Sequence, residues 1–105
     1  MGKPTEMDPD DCVRLVVENN NWSAMHVSVE CDGRHFRLGT VRSQETEAFL
    51  VKDWMLGSAL KYRLRALPVA GGTEGILTRF VPVDLEGLTH LMLEPTIWLS
   101  TVVVR

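Results

Sequence analysis

The sequence predicts an all-β domain, namely an antiparallel β-sandwich of seven or eight strands, Ig-like or related, with a small β-barrel as the alternative. Two observations carry this prediction. Apolar and polar side chains alternate in short runs bounded by turn residues, and no run has a convincing helical period. In addition, Asp32-Gly33 lies between two such runs, and this dipeptide favours the positive φ angles of a two-residue hairpin turn.

The hairpin around Asp32-Gly33 organises residues 24–41. A two-residue turn fixes the register on both sides of it, so apolar partners share one face and polar partners the other. That agreement between turn and pattern is typical of a half-buried antiparallel sheet. The predicted cross-strand pairs are Cys31–Arg34, Glu30–His35, Val29–Phe36 and Val27–Leu38.

Residues 12–19 alternate as a first strand, and a loop of residues 20–24 separates them from the hairpin. We predict that this strand pairs with residues 25–31 and buries the same face. In that register Arg14 stands beside Glu30 and Glu18 beside His26.

The later strands are predicted in the same way, as short apolar runs with turn residues between them. Residues 52–58 are predicted to be a connection, in which the side chains of Trp54 and Met55 have no predicted buried position. The predicted strands cover residues 46–51, 59–67, 76–83, 88–94 and, after Pro95, Ile97 to Val104.

The charges divide the chain into an acidic tail and a balanced domain. Residues 1–11 carry four acids and one lysine, and residues 12–105 carry ten acids and ten bases. The tail is predicted to be disordered, and residues 12–105 to form one domain. The sequence has no stretch of about 20 apolar residues that predicts a transmembrane helix. We expect either an exported protein whose signal was removed or a cytoplasmic one.

The two cysteines, Cys12 and Cys31, lie at the same end of the predicted first hairpin. A disulfide there suits a small exported domain. Matching the apolar faces, however, turns Cys31 inward beside Val13 and Cys12 to the opposite face. Two separate thiols, with Cys31 buried, are therefore the favoured prediction, and the disulfide is the alternative.

No catalytic, metal or cofactor site is predicted. His26, His35 and His90 do not show metal-ligand spacing. The serines lack a nucleophile-elbow context, and the glycines of residues 71–75 do not precede a helix. We therefore expect a protein that is not an enzyme and needs no cofactor.

A basic stripe and three tryptophans are the remaining candidate features. Lys61, Arg63 and Arg65 alternate along one strand, which is typical of a solvent-facing strand, so no nucleic-acid partner is expected. Trp22 and Trp54 fall in predicted connections, where aromatics either cap the sandwich ends or bind a ligand. They are the candidate ligand-binding residues, whereas Trp98 is assigned to a strand, as core or outer face.

Three stretches resemble uncharacterised small bacterial β-rich domains, often found in exported proteins or lipoproteins. They are VENNNW (residues 17–22), RLGTV (37–41) and RLRALPVAGG (63–72), and the resemblance spans residues 13–104. It implies a β-sandwich and an envelope location and transfers no site residue. The context of Cys12, Pro9-Asp10-Asp11, lacks the lipobox of a lipoprotein.

These features favour a non-enzymatic β-sandwich module that acts through protein–protein contact or in a structural role, in the bacterial cell envelope. One route is self-association through the final strand, Ile97 to Val104, if that strand is an exposed edge. The alternative function is binding of a carbohydrate or small ligand by Trp22 and Trp54.

Overall fold

The computed structural model describes residues 12–71 and 75–105 and shows two β-sheets packed face to face. The predicted tail, residues 1–11, lies outside the described residues. Within the described ranges the chain forms nine strands and one short helix: β1 (Cys12–Asn19), β2 (Met25–Cys31), β3 (Arg34–Val41), β4 (Thr46–Lys52), α1 (Asp53–Leu56), β5 (Lys61–Pro68), β6 (Ile76–Leu77), β7 (Val81–Pro82), β8 (Leu88–Leu93) and β9 (Thr101–Val104).

The two sheets confirm the predicted β-sandwich, and they do not close into the barrel that was the alternative. Sheet A has the strand order β4-β1-β8-β9, and sheet B has the order β3-β2-β5-β6, with β7 also paired to β5. Every pair is antiparallel except β1 with β8, which run parallel. That parallel pair departs from the purely antiparallel prediction.

The core lies between the sheets and is filled by the inward side chains of β1, β2, β5 and β8. Tyr62 of β5 and Leu15 of β1 are among its largest fully buried members. The Tyr62 hydroxyl makes a 2.5 Å hydrogen bond with Thr89 Oγ1 of β8, which ties one sheet to the other. A buried hydroxyl needs such a partner, because leaving it unpaired costs free energy.

The β2–β3 hairpin forms as predicted around its turn. Asp32 and Gly33 have φ angles of 50° and 73°, and Glu30 pairs with His35. The register then shifts at a bulge after Val27, so that Val27 pairs with Gly39 instead of Leu38. A bulge adds one residue to one strand and cannot be seen in the alternation.

The predicted pairing of β1 with β2 is wrong, because the two strands belong to different sheets. Their buried faces meet across the core instead of lying side by side. Arg14 and Glu18 therefore lie on the outer face of sheet A and Glu30 on that of sheet B. The predicted neighbours Arg14–Glu30 and Glu18–His26 are accordingly separated by the whole sandwich.

Three later predictions need correction. The connection at 52–58 contains the helix α1, whose Met55 and Leu56 are buried. The predicted strand 76–83 is split into β6 and β7, because the Thr78 hydroxyl takes the Leu64 N–H that a continuing strand would bind. Additionally, the predicted strand Ile97 to Val104 begins with a 3₁₀ turn (Ile97–Leu99), and only Thr101–Val104 is a strand.

Among the described residues, no helix is long and apolar enough to cross a membrane.

Candidate functional site

The two long edges of the sandwich differ, and the difference defines the candidate site. On one side, β3 and β4 lie together and are joined by the short turn 42–45; we call this the closed edge. On the other side, β6 and β9 end their sheets without a connection between them; we call this the open edge. A groove of about 1180 Å³ runs along the open edge between the sheets.

Backbone groups of both edge strands point away from their sheets at the open edge. In an antiparallel ladder, residues alternate between bonding the neighbouring strand and facing away from it. Thr78 donates its N–H to the Leu64 carbonyl. The backbone N–H and C=O of Leu77, one residue earlier, therefore face away from β5. Arg105 and Leu88 exchange both backbone hydrogen bonds. By the same alternation, the backbone N–H and C=O of Val102 face away from β8.

Arg79 bridges the open edge. Its Nη2 donates to the Val102 carbonyl at 3.2 Å, so a side chain from the connection between β6 and β7 holds an outward-facing carbonyl of sheet A. Among the described residues that line the groove, Arg79 is the only charged one. A charged side chain that covers a sheet edge hinders unwanted strand pairing.

Trp22 and Trp98 line the same end of the groove, and each is 78% exposed. The parallel pairing of β1 with β8 explains their proximity, because it places the loops that follow the two strands at one end. Trp22 lies three residues after β1, and Trp98 lies five residues after β8. Large exposed aromatics on a concave surface are typical of binding sites.

The loop that carries Trp22 is held by asparagine side chains. The Asn19 amide is fully buried, donates to the carbonyls of Ser23 and Val41 at 2.9 and 3.1 Å, and accepts the Asn21 N–H. The Asn21 amide donates to the Glu94 carbonyl at 2.9 Å. The two tryptophan loops are thus linked to each other through Asn21.

The loop that carries Trp98 is closed by its own hydrogen bonds. Ser100 Oγ accepts the Glu94 N–H at 2.9 Å, and Leu99 N–H binds the Thr96 carbonyl. Both aromatic side chains are therefore presented by ordered loops, which lowers the entropy lost when a partner binds.

Trp54, the other predicted ligand-binding residue, is not part of this groove. It follows β4, which runs antiparallel to β1, and therefore lies at the opposite end of the sandwich from Trp22. The length of β1 separates the two by roughly 20 Å. Trp54 is 60% exposed and packs edge-on against Phe36, with ring centroids 5.3 Å apart.

Cys12 and Cys31, the predicted disulfide candidates, are free thiols in different sheets. Cys31 is buried, and its thiol donates to the Met55 carbonyl at 3.2 Å. Burial raises the pKa of this thiol, although the nearby Arg34 opposes the shift. A buried thiol that is largely protonated is a poor nucleophile and metal ligand.

The three histidines are not brought together. His26 and His35 lie on the outer face of sheet B, whereas His90 lies on that of sheet A, with its Nε2 3.4 Å from the Glu18 carboxylate. His26 Nδ1 contacts Thr40 Oγ1 and the Arg37 guanidinium. Among the described residues, no group of three His, Cys, Asp or Glu side chains could hold a metal ion.

The basic stripe on β5 is engaged in contacts within sheet B. Glu30 binds Arg65 at 2.8 Å and Arg63 at 3.3 Å, and Lys61 and Arg63 lie over the Phe80 ring. Burial by itself would raise the pKa of Glu30, but the hydrogen bonds and charges of Arg65 and Arg63 outweigh it and lower that pKa. The three basic side chains of the stripe are thus already engaged by neighbours within the same sheet.

Comparison with known proteins supports the fold. The chain resembles the NMR structure of the protein from Eubacterium rectale, with a TM-score of 0.55 and 15% sequence identity over 95% of this chain and 92% of that one. The chain is a small all-β domain. No protein-family model matches it, and no curated protein matches it either. At this identity the likeness concerns the fold alone.

The sequence places Trp22 in a connection, but it does not indicate that Trp98 and Arg79 line the same groove. Trp98 was assigned to a strand because the apolar run after Pro95 is β-prone. Arg79 carries no local signal, because its role depends on the carbonyl of a strand 23 residues later. The three consecutive asparagines before Trp22 are a usable signal, because side-chain amides often replace backbone partners in ordered loops.

Proposed function

We propose that this domain is a non-enzymatic module that binds a protein partner in the groove at its open edge. The observation that carries the proposal is the pair Trp22 and Trp98, exposed and held on linked loops at one end of that groove. Exposed tryptophans in a groove are the residues that most often dominate the binding energy of an interface. Such a module suits the bacterial cell envelope, and we include that location in the proposal.

The experiment uses nine-residue random peptides displayed on phage and selected against the immobilised full chain. Enriched peptides are then synthesised, and their affinities are measured for the wild type, for a Trp22→Ala, Trp98→Ala double variant and for Trp54→Ala. The last is a matched control, because Trp54 is also exposed but lies at the opposite end. Urea unfolding of each variant verifies that it is folded.

We expect the double variant to lose at least about tenfold in affinity, because truncating an interface tryptophan commonly costs 2 kcal/mol or more. Trp54→Ala should bind as the wild type does. Failure to enrich peptides, or enriched peptides that bind the double variant equally well, would contradict the proposal.

Carbohydrate binding at the same groove is the second candidate function. Ser23, Thr96 and Thr101, which carry hydroxyl groups, are among the residues that line the groove with the two tryptophans, and sugars combine apolar faces with hydroxyl groups. A glycan array probed with the same three proteins tests it. Glycan binding that disappears in the double variant, together with no peptide enrichment, would favour a sugar ligand.

Self-association through β9 is the third route. β9 is the edge strand that such pairing requires, but Arg79 already holds its Val102 carbonyl. A second copy would have to displace that side chain. Sedimentation of the wild type tests this route: a dimer would support self-pairing, and a monomer would contradict it.

A further inference from the structure

The inference concerns how the groove holds its partner, and it rests on the proposed function. We propose that the partner enters as an extended peptide strand that pairs with Leu77 of β6 and places a carboxylate on Arg79. Three features of the open edge support this: the direction of the Leu77 backbone groups, the room beside β6, and the charge of the lining.

Leu77 offers the pairing. Its N–H and C=O face away from β5 and toward the groove that its residue lines. An added strand hydrogen-bonds to such groups in the same way that a sheet strand does. Thr78, the next residue, uses its hydroxyl within sheet B, where it accepts the Leu64 N–H and donates to the Arg79 carbonyl. The exposed pairing element is therefore short and centred on Leu77.

The groove has room for one strand. An added strand would lie about 4.8 Å beyond β6 in the plane of sheet B, on the side where β6 has no strand neighbour among the described residues. The volume of about 1180 Å³ exceeds that of ordinary ligand sites, which is roughly 300–1,000 Å³. Alternate side chains of the added strand would meet the apolar lining of Ile76 and Ile97 and the two tryptophans.

Arg79 supplies the charge. It is the only charged side chain among the described lining residues, so a negative group on the partner complements this part of the groove. Its Nη2 is bound to the Val102 carbonyl at 3.2 Å, and its Nη1 lies 3.5 Å from the Phe80 carbonyl, a long contact. A carboxylate is a better acceptor for a guanidinium than a peptide carbonyl is. Arg79 can hold Val102 with one nitrogen and bind the partner with the others.

The test uses the peptides selected above whose binding depends on Trp22 and Trp98. Each backbone N–H of one such peptide is methylated in turn, which removes a donor and blocks strand pairing without changing any side chain. We expect methylation of the one peptide N–H that binds the Leu77 carbonyl to weaken binding by about tenfold or more, and methylation of the two neighbouring positions to have little effect. In the complex, the Leu77 amide should exchange its hydrogen more slowly with solvent.

The carboxylate is tested by a double-mutant cycle. We expect Arg79→Ala and replacement of the peptide's acidic residue by its amide each to weaken binding about tenfold, with no further loss when both are combined. Arg37→Ala is the matched control, because Arg37 lies on the outer face of sheet B, away from the groove.

The outcomes separate the two proposals. Tryptophan-dependent peptides that have no methylation-sensitive position, that carry no acidic residue or whose binding is unchanged by Arg79→Ala would overturn this inference and leave the proposed function standing. The absence of any tryptophan-dependent peptide would overturn the proposed function itself.

Discussion

The closed and open edges join the same two sheets by different means. At the closed edge the buried Asn19 amide binds the end of β3, and the Phe49 ring of β4 lies against Gly39 of β3. At the open edge the exposed guanidinium of Arg79 spans a groove. Among the described residues, one edge is sealed by buried contacts and the other is spanned by one exposed side chain. The stability of the sandwich should therefore depend on the closed edge, while the open edge is free to bind.

The largest expected effect is that of Asn19→Ala. The substitution leaves the carbonyls of Val41 and Arg42 without their donor and releases the Asn21 N–H. We expect the free energy of unfolding to fall by about 3 kcal/mol, because buried groups lose partners that water cannot replace. Urea unfolding measures this change, and the dependence of the unfolding free energy on urea concentration should stay the same. Asn20→Ala is the control, with an expected change within about 0.5 kcal/mol, since its amide binds a partly exposed carboxylate.

Gly39→Ala should come next. A Cβ at this position would lie 2.7 Å from Phe49 Cε1, so the ring must move or the strands must separate. We expect a loss of about 1–3 kcal/mol, the usual cost of overpacking. Phe49→Leu in the same chain should recover part of the loss, and thermal unfolding of the single and double variants gives the coupling between the sites. Purely additive losses would show that the two side chains do not seal the edge together.

A smaller effect is expected from acid, and it should leave the contrast between the edges unchanged. The pKa of Glu30 is lowered below its ordinary value of 4.5 in the folded protein. Its ion pairs therefore stabilise the fold above about pH 4.5, and this stabilisation is lost as the pH falls through the lowered folded-state pKa. Between pH 5 and pH 3 the wild type should lose more stability than Glu30→Gln does. Equal slopes for the two proteins would show that the ion pairs contribute nothing.

The smallest effect on stability is expected for Arg79→Ala. The side chain makes a long hydrogen bond at an exposed edge, so the free energy of unfolding should change by less than about 0.5 kcal/mol. The variant should instead associate with itself more readily, because the β9 edge is then uncovered. Unfolding and sedimentation measure the two properties. A loss as large as that of Asn19→Ala would mean that the open edge is structurally sealed as well.

The contrast between the edges also shows which features the sequence could predict. The Asp32-Gly33 turn depends on two adjacent residues, and the structure has it in the expected place. The alternation of β1 and β2 is compatible either with neighbouring strands or with strands that face each other across a core. Nothing local distinguishes these arrangements, so the pairing of β1 with β2 was wrong.

The candidate site was predictable only in part. Trp22 could be found because it follows three asparagines in a predicted loop. Trp54 met the same description, and only the antiparallel direction of β4 relative to β1 places it at the other end. Trp98 joins Trp22 because β1 and β8 run parallel, which no pattern in either strand requires. Direction and order of strands, which are global properties, decide which side chains share a site.

The parallel pair of β1 and β8 has a consequence for how the chain folds. Arg14 pairs with Leu88, 74 positions later, whereas β2 and β3 are joined by a two-residue turn. Contacts between distant residues form slowly, because a long loop must close before they are made. We therefore expect β2 and β3 to be protected from hydrogen exchange early in refolding, and the β1 amides that bond β8 only when β8 has joined sheet A. Simultaneous protection would contradict this order. On the ribosome, one side of β1 would stay unpaired until β8, whose Leu88 pairs with Arg14 from 74 positions away, has been made.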